Sequence, residues 1–381
     1  MRAAVYIDQA FWREGDEVFA ARSFVLFIGK VAEHFDELTV AARLSPTASS
    51  SHYRLPPPAR FCPLPHYGSA SAPLQVLRAA RESIARFDRL LEEVDVVWLL
   101  GPHPFALLFA RMARRRGKRV LLGVRQDLPR YVANRHPDRT DLKLVARGLD
   151  AAFRQLARSC PTIVVGPDLA EKYGAARELL EIYVSLISVN DVLPAARGEE
   201  RDYGGPIQIL SVGRIDAEKN PLLLADVLEQ LDPRFKMVIC GDGPLEDDLA
   251  RRLSAAGSNS RAELRGHVPM GPELLRLYRE SHIFLHVSWT EGVPQVLLES
   301  FAGALPVVAT AVGGVPKAAG GAAVLIPAGD PLAAAAAIRE IAGSAETRSR
   351  LLAAGHAIAQ DHTIEAEARR VAAFMGSARA R

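Results

Sequence analysis

The hydrophobic positions along this chain form short β-branched runs that alternate with longer amphipathic stretches. Such alternation is typical of a parallel sheet covered by helices. The Ser- and Pro-rich stretch Ser45–Pro73 predicts irregular structure instead. In the first half the pattern predicts strands at Ala3–Asp8, Leu38–Ala42, Val94–Leu100, Arg119–Val124 and Thr162–Val165, and helices at Glu17–Phe35, Leu74–Glu93, Phe105–Arg116 and Arg139–Arg158.

The alternation restarts after residue 206, and the Ala-rich tail from Leu332 to Arg381 is predicted to be helical. The second half is predicted to contain strands at Ile207–Val212, Phe235–Cys240, Ala262–Leu264, Ile283–Val287, Pro306–Ala309 and Ala323–Ile326, and helices at Pro221–Leu231, Leu245–Ala256, Pro272–Ser281 and Pro294–Ala302.

A polar segment over residues 193–206, which contains Gly204-Gly205-Pro206, lies between the two series of elements. We interpret it as a linker between domains at 1–192 and 207–360, since 381 residues exceed one ordinary core. The predicted fold class is α/β, with two doubly wound domains. In such sheets ligands bind beyond the carboxyl ends of the strands, where the strand order reverses. Two such domains that face each other would form a cleft.

Composition narrows the class of protein. With 49% hydrophobic and 24% charged residues, the chain is expected to be globular rather than disordered. Its three cysteines are far apart in sequence, which excludes a disulfide scaffold and a cysteine zinc site and is typical of the reducing cytoplasm. No secretory signal is visible, and the longest apolar run, 94–110, is interrupted by Asp95 and Pro102. We therefore expect a cytoplasmic protein without a membrane span.

Charge differs between the two halves. Residues 1–190 carry 27 Lys and Arg against 20 Asp and Glu, whereas residues 191–381 carry 20 against 24. The densest basic run spans Arg111 to Arg119. One interpretation is a solvated helix end, and another is attraction to anionic lipid headgroups at the inner face of the cell membrane. Nucleic acid is disfavoured as a partner because no aromatic platform accompanies these cations.

Cations and glycine follow the first strand of the second half. Gly213 allows the backbone to approach a ligand, and Arg214 and Lys219 supply two positive charges where a loop becomes a helix. Both side chains suit phosphate oxygens, although a solvated helix start is the alternative.

Three glycine motifs follow later strands. Gly241 lies in a strand-to-helix turn, Gly266 precedes His267 and Val268, and Gly313-Gly314 is placed to close a pocket with backbone amides. Each signal is weak alone, since such glycines occur in many turns.

The strongest motif runs from Ser288 to Glu299. The first-turn amides of the helix after Pro294, those of Gln295, Val296 and Leu297, are expected to lack intrahelical acceptors and to favour a diphosphate. Glu299, about one and a half turns into the helix, is expected to accept hydrogen bonds from ribose hydroxyls, and Glu291 from sugar hydroxyls. A coincidental pair of surface carboxylates is the alternative.

In this order the motifs of residues 207–327 resemble those of the retaining glycosyltransferases of family four, which have the GT-B fold. The resemblance implies an N-terminal acceptor domain, a C-terminal nucleotide-sugar domain and a final helix, 361–381, that returns to the first domain. It implies a hexosyltransferase that moves a sugar from UDP or GDP to a glycan or glycolipid hydroxyl, with retention and with neither metal nor cofactor. Donor-binding residues would be Gly213, Arg214, Lys219, Gly241, Gly266, His267, Val268, Glu291, Gly292, Val293, Pro294, Gln295, Val296, Glu299, Gly313 and Gly314.

Within that set the resemblance gives Arg214, Lys219 and Glu291 catalytic roles. The two cations would hold the diphosphate, and a donor phosphate oxygen would serve as the base. Where the family often has a histidine at the sugar site, this chain has Arg125-Gln126-Asp127, and His103 and His136 are candidate substitutes. A GT-B-fold epimerase or hydrolase that acts on the nucleotide sugar itself is the alternative function.

Overall fold

Two parallel sheets, one in each half of the chain, organise the structure. The computed structural model describes residues 1–48, 53–67 and 73–377, with the backbone alone for 73–78. The chain divides into two units, Met1–Val184 with Glu365–Arg381 and Ser185–Ile364. The α/β class predicted from the hydrophobic pattern is confirmed.

The first unit contains nine strands among its described residues. Its parallel strands lie in the order β5-β3-β1-β6-β7-β8-β9, so the order reverses between β1 and β6. The strands are β1 (Arg2–Glu14), β2 (Glu17–Ala20), β3 (Glu37–Leu44), β4 (Tyr53–Arg54), β5 (Arg60–Leu64), β6 (Val96–Gly101), β7 (Arg119–Val124), β8 (Pro161–Val165) and β9 (Glu178–Ile182).

Helices of this unit pack their apolar side chains on the sheet. Phe109 and Phe87, for example, join Val97, Leu99 and Leu122 in one buried cluster. The helices are α1 (Phe24–Ala32), α2 (Pro73–Glu93), α3 (Pro104–Arg115), α4 (Leu128–Arg135), α5 (Thr140–Ala157), α6 (Pro167–Lys172) and, from the end of the chain, α15 (Ile364–Ser377).

The second unit has one described six-stranded sheet in the order β12-β11-β10-β13-β14-β15, which reverses between β10 and β13. Its core combines strand residues such as Ile209 and Leu285 with Leu224 and Ile338 from helices. The elements are α7 (Ala195–Glu199), β10 (Ile207–Val212), α8 (Leu222–Glu229), β11 (Phe235–Cys240), α9 (Glu246–Ala255), β12 (Ala262–Leu264), α10 (Pro272–Glu280), β13 (Ile283–His286), α11 (Gln295–Ala302), β14 (Val307–Thr310), α12 (Val315–Ala319), β15 (Ala323–Ile326), α13 (Pro331–Gly343) and α14 (Ala345–Asp361).

Several predicted elements of the first half are wrong. The predicted helix Glu17–Phe35 begins instead as strand β2, because Gly15, at φ +60°, turns the chain back on β1 as a hairpin. Strands β5 and β9 were not predicted, because apolar and polar residues do not alternate clearly in their sequences. Residues 49–52 and 68–72 of the predicted irregular stretch lie outside the described residues.

The division between the units falls at residue 184 rather than in the predicted linker 193–206. That segment contains α7, whose Gly198 packs closely against Ala304 and Leu352 of the second unit. The last helix, α15, belongs to the first unit, where Arg370 donates to the Glu181 carbonyl at 2.7 Å. Local polarity therefore does not mark the division, since short polar segments also pack.

Candidate active site

The carboxyl ends of β10 and β13 border a small pocket at the point where the strand order of the second sheet reverses. Gly213, Arg214, Lys219 and His286 line it. The sequence pattern placed Gly213, Arg214 and Lys219 together, and the structure brings them to one pocket. The position is the one at which doubly wound sheets bind ligands.

Lys219 is held in this pocket by a short turn. Lys219 is the last residue of a single 3₁₀ turn, Ala217–Lys219. The Asp216 side chain caps this turn by accepting a hydrogen bond from the Lys219 amide. The next residue, Asn220, adopts the left-handed conformation at φ 52° and starts the chain into α8. The amide of Trp289 donates to the Glu218 carbonyl at 2.9 Å, which fastens the loop after β13 to this turn. The two loops that carry the predicted site residues are thus hydrogen-bonded to each other.

Glu291 is the partner of Lys219. Its Oε1 lies 2.5 Å from the Lys219 ammonium and 3.0 Å from Nε2 of His286. The carboxylate is almost fully buried, with 8% of its side chain exposed. Burial alone would raise the pKa of Glu291, but His286 and Lys219 more than offset it and lower the pKa to about 2. Glu291 is therefore an ionised, oriented acceptor at neutral pH.

His286 was missed from the sequence. It is the last residue of β13 and is buried, with 5% exposed. A polar residue at the carboxyl end of an otherwise apolar strand was the available signal, since that edge of a parallel sheet faces the ligand site.

Arg214 makes different contacts from Lys219. Its guanidinium pairs with Asp216 and, at 3.0 Å, with Glu218, and about half of the side chain is exposed. Burial lowers the pKa of Arg214, but Glu218, Asp216 and Glu291 together outweigh burial and raise it. Arg214 is thus a permanently charged group at the rim, within the electrostatic reach of Glu291.

Two glycines allow the loops of this edge to pack. Gly241, at φ +148°, approaches Gly213 so closely that a Cβ would lie 1.8 Å from the Gly213 carbonyl oxygen. Gly313, at φ +53°, likewise leaves no room, since its Cβ would lie 1.9 Å from the Glu291 carbonyl oxygen. The predicted role of Gly313-Gly314 was to present amides, whereas the structure shows Gly313 supporting the Glu291 backbone, and Gly314 precedes α12.

The glycine motif after β12 lies farther along the same edge. The Gly266 carbonyl accepts from the Gly241 amide at 2.7 Å, His267 is exposed and Val268 is buried. Gly266 is therefore joined to the pocket loops through Gly241.

The loop before α11 is more open than its helix. Gly292 is exposed, Val293 is half-buried and Pro294 is buried at the helix start. The Leu297 amide donates to the Pro294 carbonyl at 3.2 Å, so the prediction of three free amides is wrong for Leu297. For the other two, Gln295 and Val296, the described residues provide no backbone acceptor.

Glu299 lies in the core of the second unit, 5% exposed. The hydroxyl of Tyr278 on α10 donates to its Oε2 at 2.7 Å. Burial raises the pKa of Glu299 to about 7, despite the opposing effect of this hydrogen bond. The two predicted carboxylates therefore differ: Glu291 is ionised beside cations, whereas the pKa of Glu299 lies near neutrality.

Residues 194–357 match the family model described as glycosyl transferases group 1. This part of the chain is therefore similar to the group 1 glycosyltransferases. Among similar proteins, sulfoquinovosyl transferase SQD2 of Arabidopsis thaliana is 24% identical over 265 residues, 65% of this chain and 50% of the relative. The D-inositol 3-phosphate glycosyltransferase of Arthrobacter sp. (strain FB24) is 29% identical over 184 residues, 45% of this chain and 42% of the relative. The chain thus spans about half the length of these curated relatives.

Solved structures share the fold over the whole chain. The structure of Anabaena Alr3699/HepE in complex with UDP has a TM-score of 0.71 at 16% identity and covers 99% of this chain and 100% of that one. WaaG, a glycosyltransferase involved in lipopolysaccharide biosynthesis, has a TM-score of 0.68 at 13% identity, with coverage of 98% and 100%. These likenesses confirm the predicted GT-B fold class.

In the first unit, the residues predicted for an acceptor or sugar site make separate contacts. Asp127 caps α4 by accepting from the Arg130 amide at 3.2 Å and pairs with Lys172 at 2.9 Å. Gln126 is exposed. Arg125 lies with its guanidinium carbon 3.6 Å above the Phe24 ring.

His103 is occupied on both ring nitrogens. Its Nδ1 accepts from the Phe105 amide at 3.3 Å and lies 3.0 Å from the Tyr6 hydroxyl, while Nε2 is 3.3 Å from Asp8. Burial lowers the pKa of His103 in spite of Asp8. The histidine is therefore a neutral helix cap within a closed network.

The basic run of residues 111–119 is partly used by the fold itself. Arg114 donates to the Ser159 side chain at 2.6 Å, Arg116 pairs with Asp88 and Glu92, and Arg119 donates to the Gly376 carbonyl at 3.0 Å. Among the described residues no helix combines the length and hydrophobicity that a membrane span requires. Nor does the described part of the chain contain a cluster of three potential metal-ligating side chains.

Proposed function

We propose that this chain is a retaining hexosyltransferase. It would move a hexosyl group from a nucleoside-diphosphate sugar, UDP- or GDP-linked, to a hydroxyl of a glycan or glycolipid, without metal or cofactor. The observation that carries this proposal is the pocket at the β10–β13 reversal, where Lys219, Arg214 and the ionised Glu291 meet. The UDP and UDP-glucose complexes of the structurally similar HepE support the donor class.

Arg214 and Lys219 stabilise the leaving group in this mechanism. The bond between the anomeric carbon and the β-phosphate oxygen breaks, so negative charge develops on the diphosphate. Fixed cations in a preorganised site lower the energy of that charge. Lys219 is already oriented by Glu291, and Arg214 by Asp216 and Glu218, so little reorganisation accompanies binding.

Glu291 orients the sugar. Its ionised carboxylate accepts hydrogen bonds from sugar hydroxyls, with the neighbouring backbone of Gly292 to Gln295 completing the sugar site. The acceptor hydroxyl attacks the anomeric carbon from the face that the diphosphate leaves, and its proton passes to a departing phosphate oxygen. The product then keeps the donor's anomeric configuration.

Glu299 accepts hydrogen bonds from the ribose hydroxyls. Because its side chain is 5% exposed, the contact forms at the edge of the core, with Tyr278 holding the other carboxyl oxygen. The remaining donor contacts come from the glycine loops at Gly241, Gly266 and Gly313.

Titration calorimetry with UDP-, GDP- and ADP-linked sugars tests the donor site, and we expect heat with a UDP or GDP compound. NMR of the product tests retention of the anomeric configuration. An inverted product would overturn the retaining mechanism. Epimerised donor in the absence of acceptor, or rapid stoichiometric hydrolysis, would support the alternative function, which the transferase relatives do not favour.

We also propose that the enzyme acts in the cytoplasm and docks on anionic membranes. Three cations of the basic run are taken by intramolecular bonds, but Leu144 and Val145 on α5 are 61% and 66% exposed. Exposed arginines flank them at positions 130, 135 and 147, whereas Arg139 pairs with Asp141 at 2.7 Å. Apolar side chains with surrounding cations suit an anionic headgroup layer, at about 1 kcal/mol per cation near the surface.

Co-sedimentation with vesicles of phosphatidylglycerol tests the docking surface. We expect binding at low salt that is weakened by high salt and by Leu144→Asp with Val145→Asp. Leu325→Asp, a 41% exposed leucine of the second unit, is the matched control. Equal binding of both variants, or none by the natural chain, would contradict this surface.

A further inference from the structure

Arg125 and Arg22 in the first unit form a cationic pair with no acidic partner. Arg125 directly follows β7, and Arg22 lies two residues before Phe24, the first residue of α1. Because the Arg125 guanidinium lies 3.6 Å above the Phe24 ring, the two arginines flank the same helix start. Within residues 1–48, 53–67 and 73–377, neither side chain has a carboxylate at ion-pair distance.

Arg125 has a second cation, Arg22, in its surroundings. Burial lowers the pKa of Arg125, and the charge of Arg22 lowers it further. The first turn of α1 contains no acidic residue, and the preceding Ser23 makes no side-chain cap. The positive end of the helix dipole thus adds to the two guanidinium charges instead of being compensated.

This arrangement is unfavourable without an anion. A partly buried guanidinium normally has a carboxylate partner, because desolvation is costly and like charges repel. Elsewhere in the same unit, the half-buried Arg43 has Asp8 at 3.0 Å and Lys172 has Asp150 at 3.1 Å. In the described part of the chain no carboxylate takes this position beside Arg125 and Arg22, so an anion from outside the chain would supply the counter-charge.

We propose that Arg22 and Arg125 bind an oxyanion of the phosphate type carried by the acceptor. The ring of Phe24 covers one face of the Arg125 guanidinium, which fixes its plane and leaves the N–H edges for two parallel hydrogen bonds to an oxyanion. The site follows the carboxyl end of β7, the edge of a parallel sheet at which ligands bind. The assignment of the anion to the acceptor rests on the proposed transferase function, whereas anion binding itself does not.

Arginine modification resolved by mass spectrometry tests the site in the full-length chain. Phenylglyoxal labels accessible guanidinium groups, and inorganic phosphate should protect Arg22 and Arg125 severalfold. Arg89, an exposed arginine of α2, is the internal control and should be labelled at an unchanged rate. Arg22→Ala should abolish the protection of Arg125, whereas Arg89→Ala should not. Equal labelling of Arg125 with and without phosphate would overturn the proposal.

Two further arms identify the source of the anion. A soluble sugar phosphate that protects the pair indicates a soluble phosphorylated acceptor, and vesicles of phosphatidylglycerol that protect it indicate a lipid headgroup. Either result supports the site. Because labelling is read residue by residue, anion binding at Arg214 is distinguished from binding at Arg125.

Failure of this inference is separable from failure of the proposed function. Unprotected Arg22 and Arg125 in a chain that binds nucleotide sugars would overturn only the anion site. Protected arginines in a chain that binds no nucleotide sugar would overturn only the transferase proposal. Arg125→Lys, which keeps the charge but loses the planar fork, should retain weaker phosphate protection at Arg22.

Discussion

The two sheets have the same strand-order reversal, yet the charged groups at the two reversals differ. In the second unit Lys219 and Arg214 line a pocket, and Glu291 is ionised beside them. In the first unit Asp8 lies 3.0 Å from Arg43 and 3.3 Å from His103 and accepts from the Tyr67 hydroxyl at 2.5 Å.

In the first unit, the polar groups around Asp8 form contacts with one another. Asp8 lies where β1 loses its regular register between Tyr6 and Ala10, and this irregularity lets the carboxylate meet side chains of neighbouring segments. Arg43 also donates to the Tyr67 carbonyl at 2.6 Å. Every charge there has an internal partner, so the network stabilises the fold, whereas the second site keeps its cations at a pocket.

The largest expected effect comes from removing a pocket cation. Lys219→Ala, alone or with Arg214→Ala, should lower kcat by about 10²–10³, because the developing diphosphate charge loses a fixed donor. Steady-state kinetics with a nucleotide sugar measures this, and circular dichroism checks folding. Lys236→Ala, which removes an exposed lysine of β11, should leave kcat unchanged. Near-normal turnover of the double variant would refute the role of both cations.

Gly313→Ala tests whether the Glu291 loop is held by close backbone packing. The new Cβ would lie 1.9 Å from the Glu291 carbonyl oxygen, at a φ of +53°. We expect a loss of about 1–3 kcal/mol in the free energy of unfolding from backbone strain, and weaker donor binding as the loop shifts. Gly314→Ala, at φ −76°, is the matched control and should have little effect on either. Unchanged donor affinity in Gly313→Ala would show that Glu291 does not depend on this contact.

Asp8→Asn in the first unit should affect stability and spare the donor site. It removes the charge that Arg43 faces while leaving the guanidinium partly buried, at a cost of about 1–3 kcal/mol. Urea unfolding measures the loss, and calorimetry should give an unchanged nucleotide affinity. A large loss of donor affinity with normal stability would contradict this expectation. The network around Asp8 would then serve ligand binding rather than the stability of the fold.

The sequence predicts the second unit better than the first. Residues after strands β10 and β13 carry a spaced motif, and the structure brings Arg214, Lys219 and Glu291 close to one another, while their roles stay predictions. His286 was missed because it belongs to a strand rather than a loop, and the contact between Gly313 and Glu291 depends on tertiary packing. In the first unit, the Gly15 turn and the irregular register of β1 carry little hydrophobic signal. The Arg125–Phe24 contact joins residues about one hundred positions apart, beyond any local pattern.

Glu299 provides the last test, through pH. Its pKa is raised to about 7 in the fold, above the ordinary value of 4.5, so the folded state holds a proton that the unfolded state loses. Stability is therefore expected to fall by about 3 kcal/mol as pH rises from 4.5 through 7. Ribose hydroxyls that donate to the carboxylate favour its ionised form. The affinity for a nucleotide sugar should then rise about 10-fold between pH 6 and 8.

Glu299→Gln removes the titrating group with little change in shape, so both pH dependences should flatten around neutrality. A nucleotide sugar is the right ligand because its esterified diphosphate does not itself titrate in this range. Asp330→Asn, which alters the cap of α13 in the same unit, is the control and should keep the natural pH profile. If affinity in the natural chain is flat while its stability still falls with pH, Glu299 titrates but does not meet the ribose. In that case the donor's nucleoside must bind elsewhere along the carboxyl ends of the strands of the second sheet. The glycine loops at Gly241 and Gly266 would then be the candidate binding sites for the nucleoside.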